Sequence, residues 1–327
     1  MISDRTFHRF LASVAIGLLG LASQEAAAQD FPSKPIKVVV GYAVGGGTDA
    51  IGRMLADRLG RVFKQPVVVE NKVGANGNIA AEFVANAPAD GHTLLFVIHT
   101  HVTNPGAYAN LRYDPLKDFQ PVGLAASTPL LFLANPAFPP NNMLELIAYA
   151  RANPGKATFG TPGMGSPAHL AMEMLKSAAK MDIMIVHYKG AGAAESDLIA
   201  GHINMQGSTL NQGMPLAKAG RVKVLAQAGA KRSEQAPDTP TITESGLPGF
   251  QSNSWFALLA PTKTPPAIIA RLNQELNLAL RDPEVLVRFR AAGAEAMSST
   301  PEEAAKYMRE EQVKWLKVMK EVGIKPE

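Results

Sequence analysis

The sequence predicts an α/β fold in two lobes, each a mainly parallel sheet flanked by helices. Three observations predict it. Strand and helix signals alternate through most of the chain, the pattern of parallel strands with helices on both faces. Two glycine loops, at 41–49 and 160–167, each follow a short apolar run and open a helix. The chain has 327 residues, more than one hydrophobic core normally organises, so two are expected.

Residues 1–28 read as a secretory leader. Arg5 and Arg9 supply the basic start, 10–21 is an apolar stretch too short to span a bilayer comfortably, and Ala26-x-Ala28 offers a cleavage site before Gln29. The chain has no cysteine, which removes both a lipid-attachment site and a disulfide framework. A soluble protein exported to the periplasm is the expectation. The formal net charge is +4, with no basic tract interleaved with aromatic side chains, so no nucleic-acid partner is expected. The same mild positive balance suits an anionic small ligand.

The elements follow in order. Ile36-Lys37-Val38-Val39-Val40 is a strand, and Ile51, Met54, Leu55, Leu59, Val62 and Phe63 recur at helical spacing behind Thr48, read as the N-cap. Strands at 67–69 and 93–98 flank a short helix over 79–87, completing a βαβαβ unit. In such sheets ligands sit at the carboxyl ends of strands, which selects the first glycine loop and an extended segment at 99–105. A second alternating block runs from Leu130 to Ala226, with a strand at 203–206 among its elements. After a proline-rich stretch at 236–248, a strand resumes at 254–260. Helices follow over 266–280, 283–292 and 301–322, the last opened by the near-complete capping box Thr300/Glu303 with Pro301. Returning these helices to the first lobe makes that lobe discontinuous: 29–129 with 253–327, against 130–252 for the second lobe. The chain then crosses twice, and a hinge is expected near 127–132 and 250–256.

Each glycine loop presents unpaired backbone N–H groups at the positive end of a helix dipole, and two such half-sites in two lobes suggest a clamp around an acid. In the first, Gly45 and Gly46 let the backbone approach a ligand without a Cβ. Thr48 offers a hydroxyl, Val44 and Tyr42 form wall, and Asp49 favours the helix N-terminus or orders a water. The opposing jaw contributes Thr161, Gly165 and Ser166, with Ser166 as N-cap and Pro167 at the first helical position. Thr100 and Thr103 are candidates for hydrogen bonds at a strand's carboxyl end, and Ser208 lies at a similar strand end in the second lobe. Tight turns and plain caps are the structural alternatives at each of these positions. His99-x-His101 puts two imidazoles on one face of an extended segment, yet no third ligand has suitable spacing, so no metal is expected. A P-loop fails because no Gly-Lys-Ser/Thr follows the glycines. No Gly-x-Ser-x-Gly elbow or triad spacing is present, and no catalytic residue, enzyme activity or cofactor is expected.

A set of short stretches, in order over the mature chain, carries a family likeness. They include Gly45-Gly46-Gly47-Thr48-Asp49, Val69-Glu70-Asn71, Gly74-Ala75-Asn76-Gly77-Asn78, Asp90-Gly91-His92-Thr93-Leu94-Leu95, Tyr113-Asp114-Pro115, Tyr188-Lys189-Gly190 and Ser299-Thr300-Pro301. In these the chain resembles the substrate-binding proteins of tripartite tricarboxylate transporters, also called Bug proteins. The resemblance implies a periplasmic, Venus-flytrap binding protein that captures a small organic anion, a carboxylate first of all. It implies delivery of that ligand to integral-membrane permease subunits, with the binding protein acting as a monomer. The alternative is a ligand-dependent signalling partner of a membrane sensor. Two departures separate this chain from the usual pattern: His187 stands where a proline precedes the tyrosine, and Ala43 and Val44 replace prolines in the first loop.

Overall fold

The computed structural model describes residues 31–188 and 190–326; the leader read over 1–28 lies outside the described residues. Among the described residues, ten strands form two sheets that share one strand. In the first, β1 (Ile36–Val40) pairs in parallel with β2 (Val67–Asn71) and β3 (Thr93–Ile98). In the second, β5 (Thr158–Thr161) pairs in parallel with β6 (Met184–His187) and β7 (Met205–Thr209). The shared strand is β4 (Phe119–Ala134), 16 residues long.

Two lobes of α/β architecture are present, but the sheets are mixed rather than mainly parallel. β9 (Asn253–Pro261) is antiparallel to both β3 and β4, and β10 (Glu295–Ala296) is antiparallel to β4. β4 is likewise antiparallel to β7 and to β8 (Lys223–Gln227). The physical reason lies in the crossings. A strand that leaves one lobe for the other runs against its neighbour unless a helical crossover intervenes. Pro129, the last β4 residue paired with β9, precedes Leu130, the first paired with β7. Proline has no N–H to give a ladder, which suits the point where a strand changes sheets.

Strand alternation divides the buried side chains between two faces of each sheet. Val38 and Val40 join Ile51, Leu55, Phe96 and Phe256 on one face of the first sheet. Val39 joins Leu95, Val97, Trp255 and Met308 on the other. Phe132 and Phe159 head one face of the second sheet, and Leu131, Leu133 and Leu198 the other. Helix α1 (Gly47–Phe63) buries Ile51, Leu55 and Leu59, the i, i+4 stripe of an amphipathic helix. Helix α2 (Asn78–Ala85) lies between β2 and β3, followed after β3 by the short α3 (Thr100–Thr103). The second lobe carries α4 (Met143–Ala152), α5 (Pro167–Ala179), α6 (Ala191–Ala200) and α7 (Leu210–Lys218).

Three helices follow β9. α8 (Pro266–Ala279) and α9 (Pro283–Ala291) pack Leu272, Leu276 and Phe289 into the first-sheet cluster that holds Val38. α10 (Pro301–Glu321) has the complete capping box. Thr300 Oγ1 accepts from the Glu303 N–H at 3.1 Å, and the Glu303 carboxylate accepts from the Thr300 N–H at 2.8 Å. α10 also reaches the second lobe. Leu170 of α5 is buried with Trp315 and Met319 of α10.

Two local expectations change. Residues 99–105 are helical rather than extended, because a 3₁₀ turn over Asn104–Gly106 continues α3 with Pro105 in its first turn. The strand read at 203–206 begins at Met205 and runs to Thr209.

Candidate ligand site

The first loop leaves the carboxyl end of β1 and enters α1. The N-cap is Gly46 rather than Thr48; it is the last residue with extended backbone, and no side chain caps the helix. Thr48, the second residue of α1, is buried. The first N–H groups of α1 therefore keep no intrahelical partner and no cap. Gly45 adopts φ +82°, a left-handed conformation that glycine reaches at little cost.

Asp49 ties the loop together. Its Oδ2 accepts from the Gly45 N–H and from Arg53 Nε, both at 2.9 Å, and its Oδ1 accepts from Asn71 Nδ2 at 2.8 Å. The same Asn71 Nδ2 donates to the Tyr42 carbonyl at 2.9 Å, while Asn71 Oδ1 accepts from Arg53 at 2.9 Å. Burial works to raise the Asp49 pKa, but these donors and the Arg53 charge outweigh it, and the carboxyl is held below its ordinary value. One closed network thus fixes both ends of the loop. Val44 stands out from it, 70% exposed.

Tyr42 joins the first loop to its neighbours. Its hydroxyl lies 2.5 Å from Thr100 Oγ1 and donates to the Asn76 carbonyl at 3.2 Å. Burial pushes this hydroxyl's pKa upward, partly opposed by the Thr100 hydrogen bond, so it stays a neutral donor. Asn76 has φ +54°, a backbone state costly for most side chains and less so for asparagine. Its side chain donates to Asn104 Oδ1 at 3.2 Å. Loop 74–77, α3 and the first loop are thereby laced into one rim.

The second loop is built differently. Ser166 is the N-cap of α5, with Pro167 at the first helical position, and its hydroxyl accepts from the His169 N–H at 3.3 Å. His169 Nδ1 accepts from the Gly165 N–H at 2.9 Å. Burial, then the neighbouring His187 and Lys176 charges, lower the His169 pKa to about 4, which keeps that nitrogen an acceptor. Thr161 is fully buried, donates to the Gly163 carbonyl at 3.3 Å, and lies 2.9 Å from His187 Nδ1. The His187 ring meets the His169 ring edge-on at 4.6 Å. The His187 imidazole thus buttresses the loop. Ser208 is buried on β7.

His99 and His101 do not form a pair. His99 Nδ1 lies 3.2 Å from Ser254 Oγ, and His101 Nε2 lies 3.0 Å from the Pro115 carbonyl. Helical backbone turns successive side chains in different directions, so the one-face reading fails.

A cavity of about 130 Å³ lies between the lobes. The first lobe supplies Asn76, Thr103, Ala107 and Tyr108; the second supplies Met164 and Gly165. The segment after α10 supplies Ile324 and Lys325. Of the residues selected from the sequence, Thr103 and Gly165 are in this lining, and Tyr42, Val44, Gly45, Gly46, Thr48, Asp49, Thr100, Thr161, Ser166 and Ser208 are not. Asn76 stood in a quoted glycine-asparagine stretch, and its position between Gly74 and Gly77 was the available signal. Tyr108, Ile324 and Lys325 gave none, since long-range packing alone brings them to the cavity.

Two α/β lobes joined by crossing strands, with a cavity between them and strand–loop–helix ends at its rim, define a solute-binding protein of the two-lobed type. The chain belongs to the tripartite tricarboxylate transporter family receptor group, whose family model matches residues 51–324. It is 33% identical to the protein BugT of Bordetella pertussis over 97% of this chain and 98% of that one. Among solved structures, it is similar to an R. palustris protein with adipate, at 34% identity and TM-score 0.79, covering 91% of this chain and all of that one. MatC from Rhodopseudomonas palustris with bound malate is 34% identical at TM-score 0.74, covering 88% of this chain and all of that one. Among the described residues, no helix is long and apolar enough to cross a membrane.

Proposed function

We propose that the protein captures a small organic acid between its lobes and delivers it to membrane permease subunits. The observation that carries the reading is the inter-lobe cavity, lined from both lobes and small enough for an organic acid. The uncapped N-terminus of α1 supports it further, because it offers N–H groups and a dipole to an anion. The adipate and malate in two solved relatives favour a carboxylate ligand. On this reading one carboxylate faces the Gly45–Thr48 turn, and the 161–166 loop closes over the other side. Tyr42, Val44 and Thr100 would flank the first jaw, and Ser208 the second. The lobes, 29–129 with 253–327 and 130–252, rotate about a hinge near 127–132 and 250–256, where Pro129 separates the two ladders. Ligand favours closure only through contacts absent from the open form. The mature chain would begin at Gln29 and work in the periplasm as a monomer.

The test is a thermal-shift and calorimetric screen of the mature protein against adipate, malate, hexanoate, benzoate and their neutral amides. Ligand at a hundred times its Kd should add about 2.7 kcal/mol of stability. Gly47→Leu should abolish the response while leaving the free protein folded, since a Cβ at Gly47 meets no atom within 4 Å. Absence of any response across the acids would overturn the reading. For delivery, uptake of the bound acid by cells carrying the cognate permease should depend on adding the binding protein.

A further inference from the structure

The segment after α10 is fastened back onto that helix by its own backbone. The Ile324 N–H donates to the Met319 carbonyl at 2.9 Å, and the Gly323 N–H to the Lys320 carbonyl at 3.2 Å. Gly323 sits at φ +75°. These are the paired bonds and the left-handed residue of a Schellman turn, which normally adds an apolar contact across the turn. That contact is present: Ile324 packs on the cluster of Met319, Trp315 and the second lobe's Leu170. The chain is thereby reversed and held, and the next residue, Lys325, reaches the cavity lining. Lys325 is exposed. Among the described residues that line the cavity it is the one charged residue, and no acidic residue is among them. Ala107, Met164 and Ile324 give the same cavity apolar lining, beside Asn76, Thr103 and Tyr108.

We propose that Lys325 is a specificity-determining residue for the ligand: its ammonium meets a carboxylate at the cavity edge, and the adjoining apolar wall takes the ligand's hydrocarbon body. The ligand class is an organic acid with an apolar chain or ring next to its carboxylate. Glycine loops recognise an anion through fixed backbone dipoles, whatever body it carries; a cation beside an apolar wall selects both charge and body. The inference rests on the reading that this cavity takes an organic acid.

The experiment measures Kd by calorimetry for the tightest binder among hexanoate, benzoate, adipate and malate, in wild type, Lys325→Ala, Lys325→Glu and Lys325→Arg. Lys325→Ala should weaken binding about tenfold and Lys325→Glu more, while Lys325→Arg retains most affinity. The wild-type Kd should rise with salt, and that dependence should flatten in Lys325→Ala. Hexanoate or benzoate should bind more tightly than malate, and affinity for the neutral amide should be indifferent to all three substitutions. An unliganded melting temperature unchanged in each variant confirms that the side chain supports no fold contact. Acid binding that is equal in wild type and Lys325→Glu overturns the role of Lys325 and leaves the organic-acid reading standing. Binding of no acid by wild type overturns that reading, and the inference with it.

Discussion

Leu170 of the second lobe and Trp315 of α10 share one buried cluster, with residual exposures of 0% and 2%. α5 begins at the second glycine loop, so the placement of that loop depends on a helix that also packs on the first lobe. Met308, seven residues before Trp315, lies in the first-lobe cluster with Val39 and Leu95. Lobe approach and helix docking are therefore one packing problem.

Leu170→Ala should cost about 2–5 kcal/mol in urea unfolding, the range for removing a fully buried leucine from a site that collapses poorly. The urea slope should stay unchanged. A loss under about 1 kcal/mol would mean that α5 and α10 separate readily and that the contact does not set the loop.

Asp49 governs the first loop through geometry. The ion pair with Arg53 is half solvated, with 45% side-chain exposure on the arginine, and contributes little by itself. The hydrogen bonds from Gly45 and Asn71 are the larger part, because removal of Asp49 leaves them without an acceptor. Asp49→Ala should destabilise by about 1–3 kcal/mol and weaken acid binding. Asn71→Ala should reproduce most of this, and the double variant should cost less than the sum. Additive losses would falsify the single-network account.

Most of this architecture was legible because apolar periodicity and caps are local. The Ser166-Pro167 and Thr300/Glu303 starts were read from spacing alone, and both occur with the expected hydrogen bonds. Gly46 displaced Thr48 as a cap because a glycine triplet gives the chain several places to turn, and side-chain preference does not choose between them. β4 was read only over its last residues. The part before Leu130, with Pro121, Gly123 and Pro129, lacks a strand's composition and is held by pairing with β9. The site was legible in its loops and not in its lining. The Asp49–Asn71 tie spans 22 residues, and Lys325 comes to the cavity only through packing between lobes.

Three buried histidines set a pH limit. Burial lowers His99 to about 3 and His101 to about 4; His169 is also near 4. Each is depressed from its ordinary 6.5, so the unfolded chain takes up protons that the native one refuses. Stability from this source is whole above pH 6.5 and falls as pH drops from 6.5 toward 4, at up to about 1.4 kcal/mol per pH unit per histidine. Urea midpoints between pH 7 and 4.5 should show this slope. His169→Gln should flatten it by about one histidine's share, and an unaltered slope would mean that the native imidazole accepts a proton at its ordinary pH.

Both tryptophans of the chain donate to a single oxygen. Glu311 Oε2 accepts from Trp255 Nε1 of β9 at 3.1 Å and from Trp315 Nε1 of α10 at 2.9 Å, and Lys314 pairs with the other oxygen. The residue is buried at 7% exposure, so the carboxylate joins a crossing strand to the helix that reaches the second lobe. Glu311→Ala leaves two buried indole N–H groups without an acceptor, at about 1–3 kcal/mol each. Glu311→Gln keeps a carbonyl oxygen for both and should cost distinctly less. Because the chain has two tryptophans, fluorescence excited selectively at tryptophan reports on these two indoles. Emission should shift in Glu311→Ala as both indoles lose their common partner, and stay near wild type in Glu311→Gln. Equal stability and equal spectra in all three proteins would show that the two indoles do not depend on this carboxylate.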